Sequence, residues 1–383
     1  MISRNRIAGG CKVTEFVDVA DNRQLEGDRL VQFAMDSPPL TPPIPTVLQR
    51  LQHGLSTFEF VHLPHDRWPL HRSGTVHKSP KIHVSVLDSS FNPPTLAHLA
   101  LANAPLPRPS ISPDVLRGSD PLSNQEILPH DYDAKLLLLS IRNADKSLKP
   151  NDATYHQRLE MVVRLAQDVV GYDSNGQPTA DVNVAVAAID EPRFVDKSRL
   201  LLTFLRRRLT DLCAMPHLPS SDLPPSSPDQ PPAIPTPHLI FLQGLDTLGR
   251  LFSPQYYKSE DIMTQELCRF FSEDGDGSRV VCARRVQRTT NSQSDAVDDF
   301  DERDRVTLAQ AERQILTKIP IRKHVDSGRI TLVDIGRDER TFSSTEIRHK
   351  IQCGDDSWKA MTTPHVIDYI LKHNLYTGPR SPT

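Results

Sequence analysis

From about residue 81 onward, short apolar runs of strand length alternate with longer stretches in which apolar residues recur at helical spacing. The runs at 82–87, 135–140, 182–189, 238–243, 279–283 and 329–335 are nearly continuous in Val, Ile, Leu, Phe and Ala. An unbroken apolar run suits a strand covered on both faces, not one with a wet side. The stretches 154–169, 197–212 and 306–319 predict the covering helices. The pattern as a whole predicts an α/β protein built on a doubly wound parallel sheet.

Outside that alternation the chain reads differently. Residues 1–79 show no sustained period and contain Ser37-Pro38-Pro39-Leu40-Thr41-Pro42-Pro43-Ile44-Pro45, so they read as an irregular N-terminal extension with room for a short helix at 47–55. Residues 80–378 read as one domain with two insertions. The first, 214–237, holds nine prolines between a helix and a strand. The second, 286–305, is an acidic loop carrying Asp295, Asp298, Asp299, Asp301, Glu302 and Asp304.

Composition narrows the function classes. The chain has 383 residues, 37% of them hydrophobic, with 33 prolines against 16 glycines, which fits one large domain plus segments that do not build a core. A formal charge of -3 leaves no electrostatic footprint for nucleic acid or an anionic membrane. The five cysteines are odd in number and form no CxxC pair, which argues against a disulfide framework or zinc site and for a reducing compartment. No apolar run reaches the ~18 residues of a membrane span and the first ten residues lack a signal-peptide core, so the expectation is a soluble protein of the cytoplasm or nucleus.

Two segments carry chemistry. After the run 82–87 comes Asp88-Ser89-Ser90-Phe91-Asn92-Pro93-Pro94-Thr95-Leu96-Ala97-His98, a strand, a tight turn and a helix start. Thr95 and His98 lie three apart on the first turn, where helix N–H groups lack partners, so an anion above Phe91 and Asn92 would meet both side chains. Near the other end, Phe342-Ser343-Ser344-Thr345-Glu346-Ile347-Arg348 follows the run 329–335 and opens another helix. Ser343, Ser344 or Thr345 can cap that helix and still face an anion, and Arg348 adds a planar fork suited to two phosphate oxygens. Capped helices with a later arginine are common, so the second segment alone is weak.

Together the two segments resemble the paired signatures of the nicotinamide mononucleotide adenylyltransferase family, within the nucleotidylyltransferase superfamily, closest to its fungal adenylyltransferase-like members. The resemblance covers roughly residues 81–378 and implies a Rossmann-like fold. It departs from the family pattern at Ser89, where glycine is usual; a Cβ there narrows or reshapes the site. Phe342 likewise replaces a leading isoleucine. Further matches follow in order. Gly244-Leu245-Asp246 resembles the family's Gly-x-Asp segment, which implies contact of Asp246 with ribose or magnesium. Lys146, Lys149 and Arg158 resemble the basic groups brought toward the phosphates, the two lysines competing for one role. Arg284 resembles the arginine that lines the adenine side, and 366–376 resembles the last, structural helix.

The activity this implies is attack by the 5′-phosphate of nicotinamide mononucleotide on the α-phosphorus of ATP, giving NAD and pyrophosphate. His98, Arg348 and Lys146 would be the catalytic groups. Mg2+ would ride on the ATP. Two alternatives stay open: the same fold acting on another phosphate acceptor, and an ATP-binding protein working through partner contacts. The sequences Pro39-Leu40-Thr41-Pro42 and Pro228-Asp229-Gln230-Pro231 fit PxxP docking segments for the second.

Overall fold

The structure is a computed structural model that describes residues 41–72, 79–107, 131–142, 151–172, 177–179, 182–214, 234–284, 313 and 319–377. All of them belong to one compact unit, Thr41–Thr383. Its frame is a seven-stranded sheet of β1 (Phe58–His62), β2 (Lys81–Asp88), β3 (Ala134–Ser140), β6 (Val184–Ile189), β7 (Thr236–Gly244), β8 (Arg279–Ala283) and β9 (Ile330–Val333). β4 (Gly171–Tyr172) and β5 (Pro178–Thr179) form a separate small antiparallel pair. The strand order is β1-β6-β3-β2-β7-β8-β9. Every neighbouring pair runs parallel except β1, which joins β6 antiparallel.

Why these runs become central strands is visible in their burial. β6 is buried at every position and β3 at all but Ser140, so each needs apolar side chains on both pleats. One face is covered by α1 (Ile44–Gln52), α2 (Leu96–Ala102) and α3 (Tyr155–Asp168), which bury Val47, Leu51, Leu101, Leu159 and Val162. The opposite face is covered by α4 (Phe194–Ala214), α5 (Leu245–Leu251), α6 (Glu260–Phe271) and α7 (Ile319–Asp326), through Leu201, Leu205, Leu248, Phe270 and Ile321. Local chemistry sets the helix starts. Thr154 and Gln157 form a reciprocal capping box at α3, and the Ser259 hydroxyl accepts from the Ile262 N–H at α6. Helices α8 (Ser344–Gln352) and α9 (Pro364–Lys372) build a smaller third core with α3, from Met161, Ile347, Trp358, Met361, Val366 and Ile370. No helix among the described residues is long and apolar enough to cross a membrane.

All six strands read from the sequence are present, and the doubly wound sheet with them. The boundary at residue 79 needs correction. Residues 41–72 are part of the domain: α1 packs on the sheet, β1 extends it, and Trp68 is fully buried. The aromatic rings of Phe58, Phe60, Trp68 and Phe204 cluster at this edge, with centroids 4.8 to 5.5 Å apart. Phe-Glu-Phe-Val-His is short and interrupted by Glu59 and His62, so it carries none of the continuous apolar signal of its neighbours. Of the helix expected at 306–319 only Arg313 and Ile319 are described; the bodies of both insertions, Met1–Leu40 and the PxxP segment at 228–231 lie outside the described residues, and of Pro39-Leu40-Thr41-Pro42 only the last two residues are described.

Candidate active site

The chain leaves β2 for β3 on one side and returns to β7 on the other, so the topological switch point lies between β2 and β7. Open parallel sheets bind ligands in the crevice at the carboxyl ends of such strands. Ser89 to Asn92 follow β2 there, and Gly244, the last residue of β7, caps α5.

The first signature is held in a fixed shape. Phe91 is fully buried at a φ of 43°, in the left-handed region that a non-glycine residue enters at a cost on the order of 1 kcal/mol. Burying the ring in the core beneath α2 offsets that cost. Pro93 and Pro94 precede the helix cap instead of occupying the first turn; Thr95 is the N-cap. Its backbone N–H donates to His98 Nδ1 at 3.0 Å, and its hydroxyl lies 2.9 Å from the same nitrogen. In a neutral ring an accepting Nδ1 leaves the proton on Nε2. That nitrogen is 2.9 Å from the Ser89 hydroxyl. The Phe91 ring stands 5.2 Å from the imidazole and limits its rotation.

The second signature is tied directly to the first, across more than 250 residues of chain. Ser344 donates to the Pro93 carbonyl at 2.7 Å, and Arg348 Nη1 donates to the Asn92 carbonyl at 2.5 Å. Ser343 is the residue that caps α8, accepting from the Glu346 N–H at 3.1 Å. Arg348 also bonds the Thr345 hydroxyl at 3.3 Å and lies 3.8 Å from Asp152. The Asn92 side chain faces inward: its Oδ1 accepts from the Tyr376 hydroxyl at 2.9 Å and from the Ala153 N–H at 3.3 Å. Burial pushes the Tyr376 phenol up, so it stays protonated and keeps donating.

Other sequence candidates fall in three groups. Arg158 is only 6% exposed and bonds the Ala153 carbonyl, the Ser90 carbonyl and Asp152, so it braces the loop. Ser90 and Asp246 are exposed at the crevice, while Arg284 follows β8 and is half-buried, its N–H bonded to Val333. Lys146 and Lys149 lie outside the described residues.

A polar group that sequence reasoning missed sits on the other face of the same crevice. Asp88 ends β2 and accepts a hydrogen bond from Lys197 of α4, both side chains being buried. Lys197 also lies 5.0 Å from the Phe194 ring centroid. Gln243, next to the end of β7, is buried with neither amide atom hydrogen-bonded. A signal existed: Lys197 occupies the position one turn before Leu201 and two before Leu205, in the buried stripe of its helix.

The switch point thus carries both signatures, bonded to each other. No family model matches the chain. It is similar to a Schizosaccharomyces pombe protein provisionally named as a nicotinamide mononucleotide adenylyltransferase, at 28% identity over 291 residues, which is 76% of this chain and 84% of that protein. Among solved structures it is similar to Plasmodium falciparum nicotinic acid mononucleotide adenylyltransferase complexed with NaAD, at a TM-score of 0.40 and 15% identity, covering 77% of this chain and 97% of that one. The same enzyme complexed with APC gives 0.35 and 14%, with the same coverage. Those superpositions are loose, and the fold rests on the strand order above. Nicotinamide mononucleotide adenylyltransferases are the family the chain resembles.

Proposed function

We propose that this chain transfers the adenylyl group of ATP to nicotinamide mononucleotide, forming NAD and pyrophosphate. What carries the reading is the pair of hydrogen bonds from Ser344 and Arg348 to Pro93 and Asn92, which sets two anion-binding segments against each other beside a histidine whose Nε2 carries a proton. The similar fission-yeast protein bears the corresponding name.

In the reaction a 5′-phosphate oxygen of the mononucleotide bonds to the α-phosphorus of ATP, and the bond from that phosphorus to the β-bridging oxygen breaks. The attacking group is already an anion and the leaving group departs as one, so the protein needs no covalent intermediate. Its work is to align the two and to stabilise charge on the phosphoryl oxygens. His98 donates from Nε2 to an α-phosphate oxygen. Arg348 and the hydroxyl turn Ser343 to Thr345 hold the β- and γ-phosphates, with Lys146 or Lys149 screening them. Asp246 serves the ribose or the magnesium ion, Arg284 the adenine side, and the turn Ser89 to Asn92 with Thr95 shapes the phosphate cradle. Magnesium enters with ATP as part of the substrate, mostly water-coordinated.

The test is product formation by the purified full chain from magnesium-ATP, with nicotinamide mononucleotide, nicotinic acid mononucleotide and 4′-phosphopantetheine as parallel acceptors. The expected result is NAD and pyrophosphate in equal amounts, fastest with the nicotinamide acceptor. A folded protein that releases no pyrophosphate with any of the three would refute adenylyl transfer. Preference for another acceptor would keep the reaction and move its substrate.

A further inference from the structure

We propose that Ser89 is a positioning residue that latches His98, by taking the Nε2–H that the incoming phosphate must capture. The inference rests on the reading of His98 as a donor to a phosphoryl oxygen. Three observations carry it. The Thr95 N–H donates to Nδ1, which fixes the proton on the far nitrogen and aims it away from the α2 cap. The hydroxyl of Ser89 stands 2.9 Å from that nitrogen, the distance of a made hydrogen bond. The backbone under Ser89 is anchored in turn, its N–H bonded to the Leu138 carbonyl of the neighbouring strand at 3.2 Å, so the hydroxyl is held near the imidazole by the sheet.

The consequence is competition. A phosphoryl oxygen that is to accept from Nε2 must displace the Ser89 oxygen, while the ring stays aligned by Thr95 and Phe91. A residue at position 89 without a hydroxyl takes that acceptor away from Nε2–H. The latch therefore holds the donor in its working tautomer and orientation when no ligand is bound, and lowers anion affinity by the worth of one ordinary hydrogen bond.

Two readouts test this, and the first does not depend on activity. In 15N-labelled full-length protein the His98 Nε2–H resonance is expected to be visible and protected from exchange. It should weaken or vanish in Ser89→Ala and persist in Ser89→Thr. In the second, calorimetry with inorganic tripolyphosphate is expected to show about 3- to 10-fold tighter binding in Ser89→Ala, a gain absent when His98→Ala is already present. Ser89→Gly serves the same purpose if the alanine variant melts early. A protonated Nδ1 in the folded protein, or an Nε2–H signal indifferent to Ser89, overturns the latch. Weaker binding in Ser89→Ala also overturns it, because Ser89 would then be a direct ligand donor. If the wild type neither binds tripolyphosphate nor makes product, the proposed reaction fails, and the resonance of His98 still decides the latch.

Discussion

His98 and Arg348 are both oriented by the protein before any ligand arrives, but they differ in what else depends on them. His98 bonds Thr95 and Ser89, groups within its own signature, and its removal leaves the two signatures joined. His98→Ala should therefore act on turnover. A loss on the order of 10²-fold or more is expected, comparable with deleting one preorganised oxyanion donor, with little change in melting temperature. Unaltered turnover would return His98 to an ordinary surface histidine. Arg348 carries a double load, since its Nη1 is also the donor to the buried Asn92 turn. Lysine keeps the charge and loses the planar fork, so Arg348→Lys should bind ATP within roughly tenfold of wild type and lose about 2 to 4 kcal/mol of transition-state stabilisation. Arg348→Ala should lose both, and in addition about 1 to 3 kcal/mol of stability from the Asn92 carbonyl left without its donor. Steady-state kinetics, calorimetry with ATP and thermal melting on the two variants separate these contributions. Near-normal turnover in Arg348→Ala would remove the residue from the active site.

At the level of elements, the N-terminal edge is where sequence reading and structure part, and it yields the most direct stability experiment. Removing residues 1–40 touches none of the described elements, whereas removing 1–72 deletes α1 and β1 and takes Trp68 out of the core. The first truncation should leave a soluble, cooperatively folding protein; the second should not. Trp68→Ala alone should cost about 3 to 5 kcal/mol, the range for emptying a large buried aromatic site. A Trp68→Ala protein that melts like wild type would contradict the burial of Trp68 against this edge of the sheet. The contrast also explains what could be read in advance. β3 and β6 announce themselves because they are buried on both faces and so must be apolar throughout. β1 lies at the sheet edge and its neighbours include Pro64 and Pro69, so its local sequence resembles the proline-rich stretch before it. The site divides the same way. Thr95, His98, Ser343 and Arg348 stand at fixed offsets from helix starts, which chain order reveals. Asp152, Tyr376 and Lys197 act through tertiary contacts that no spacing encodes.

Across the whole molecule, charge is distributed so that the end of the sheet opposite the crevice should respond to acid. At the amino ends of β2, β7 and β8, His238 packs 5.9 Å from the His83 ring, with Lys81, Arg279 and Glu273 around it. Burial, then the positive charge of Lys81, pushes the His238 imidazole down to about 4, with His83 and Arg279 adding to that and Glu273 opposing it. His62, His65 and His324 are held below their ordinary value as well, each first by burial. A histidine depressed in the fold is protonated more readily once the chain unfolds. Between about pH 6.5 and pH 4 the unfolded state then binds more protons than the folded one, and stability must fall as pH falls through that window. Above it the contribution is fully present. Glu273 acts at a lower pH: its burial works upward, but the hydrogen bond and charge of Arg329 outweigh it and hold the carboxyl below its usual range. The expected outcome is a melting temperature that is flat from pH 8 to about 7 and declines steadily toward pH 5. In His238→Asn, which keeps a polar side chain but cannot take up the proton, the decline should be shallower, with the two proteins differing most near pH 5. Differential scanning calorimetry across that range checks it. Parallel curves for the two proteins would mean that His238 is screened by solvent and that the acid response comes from elsewhere in the molecule.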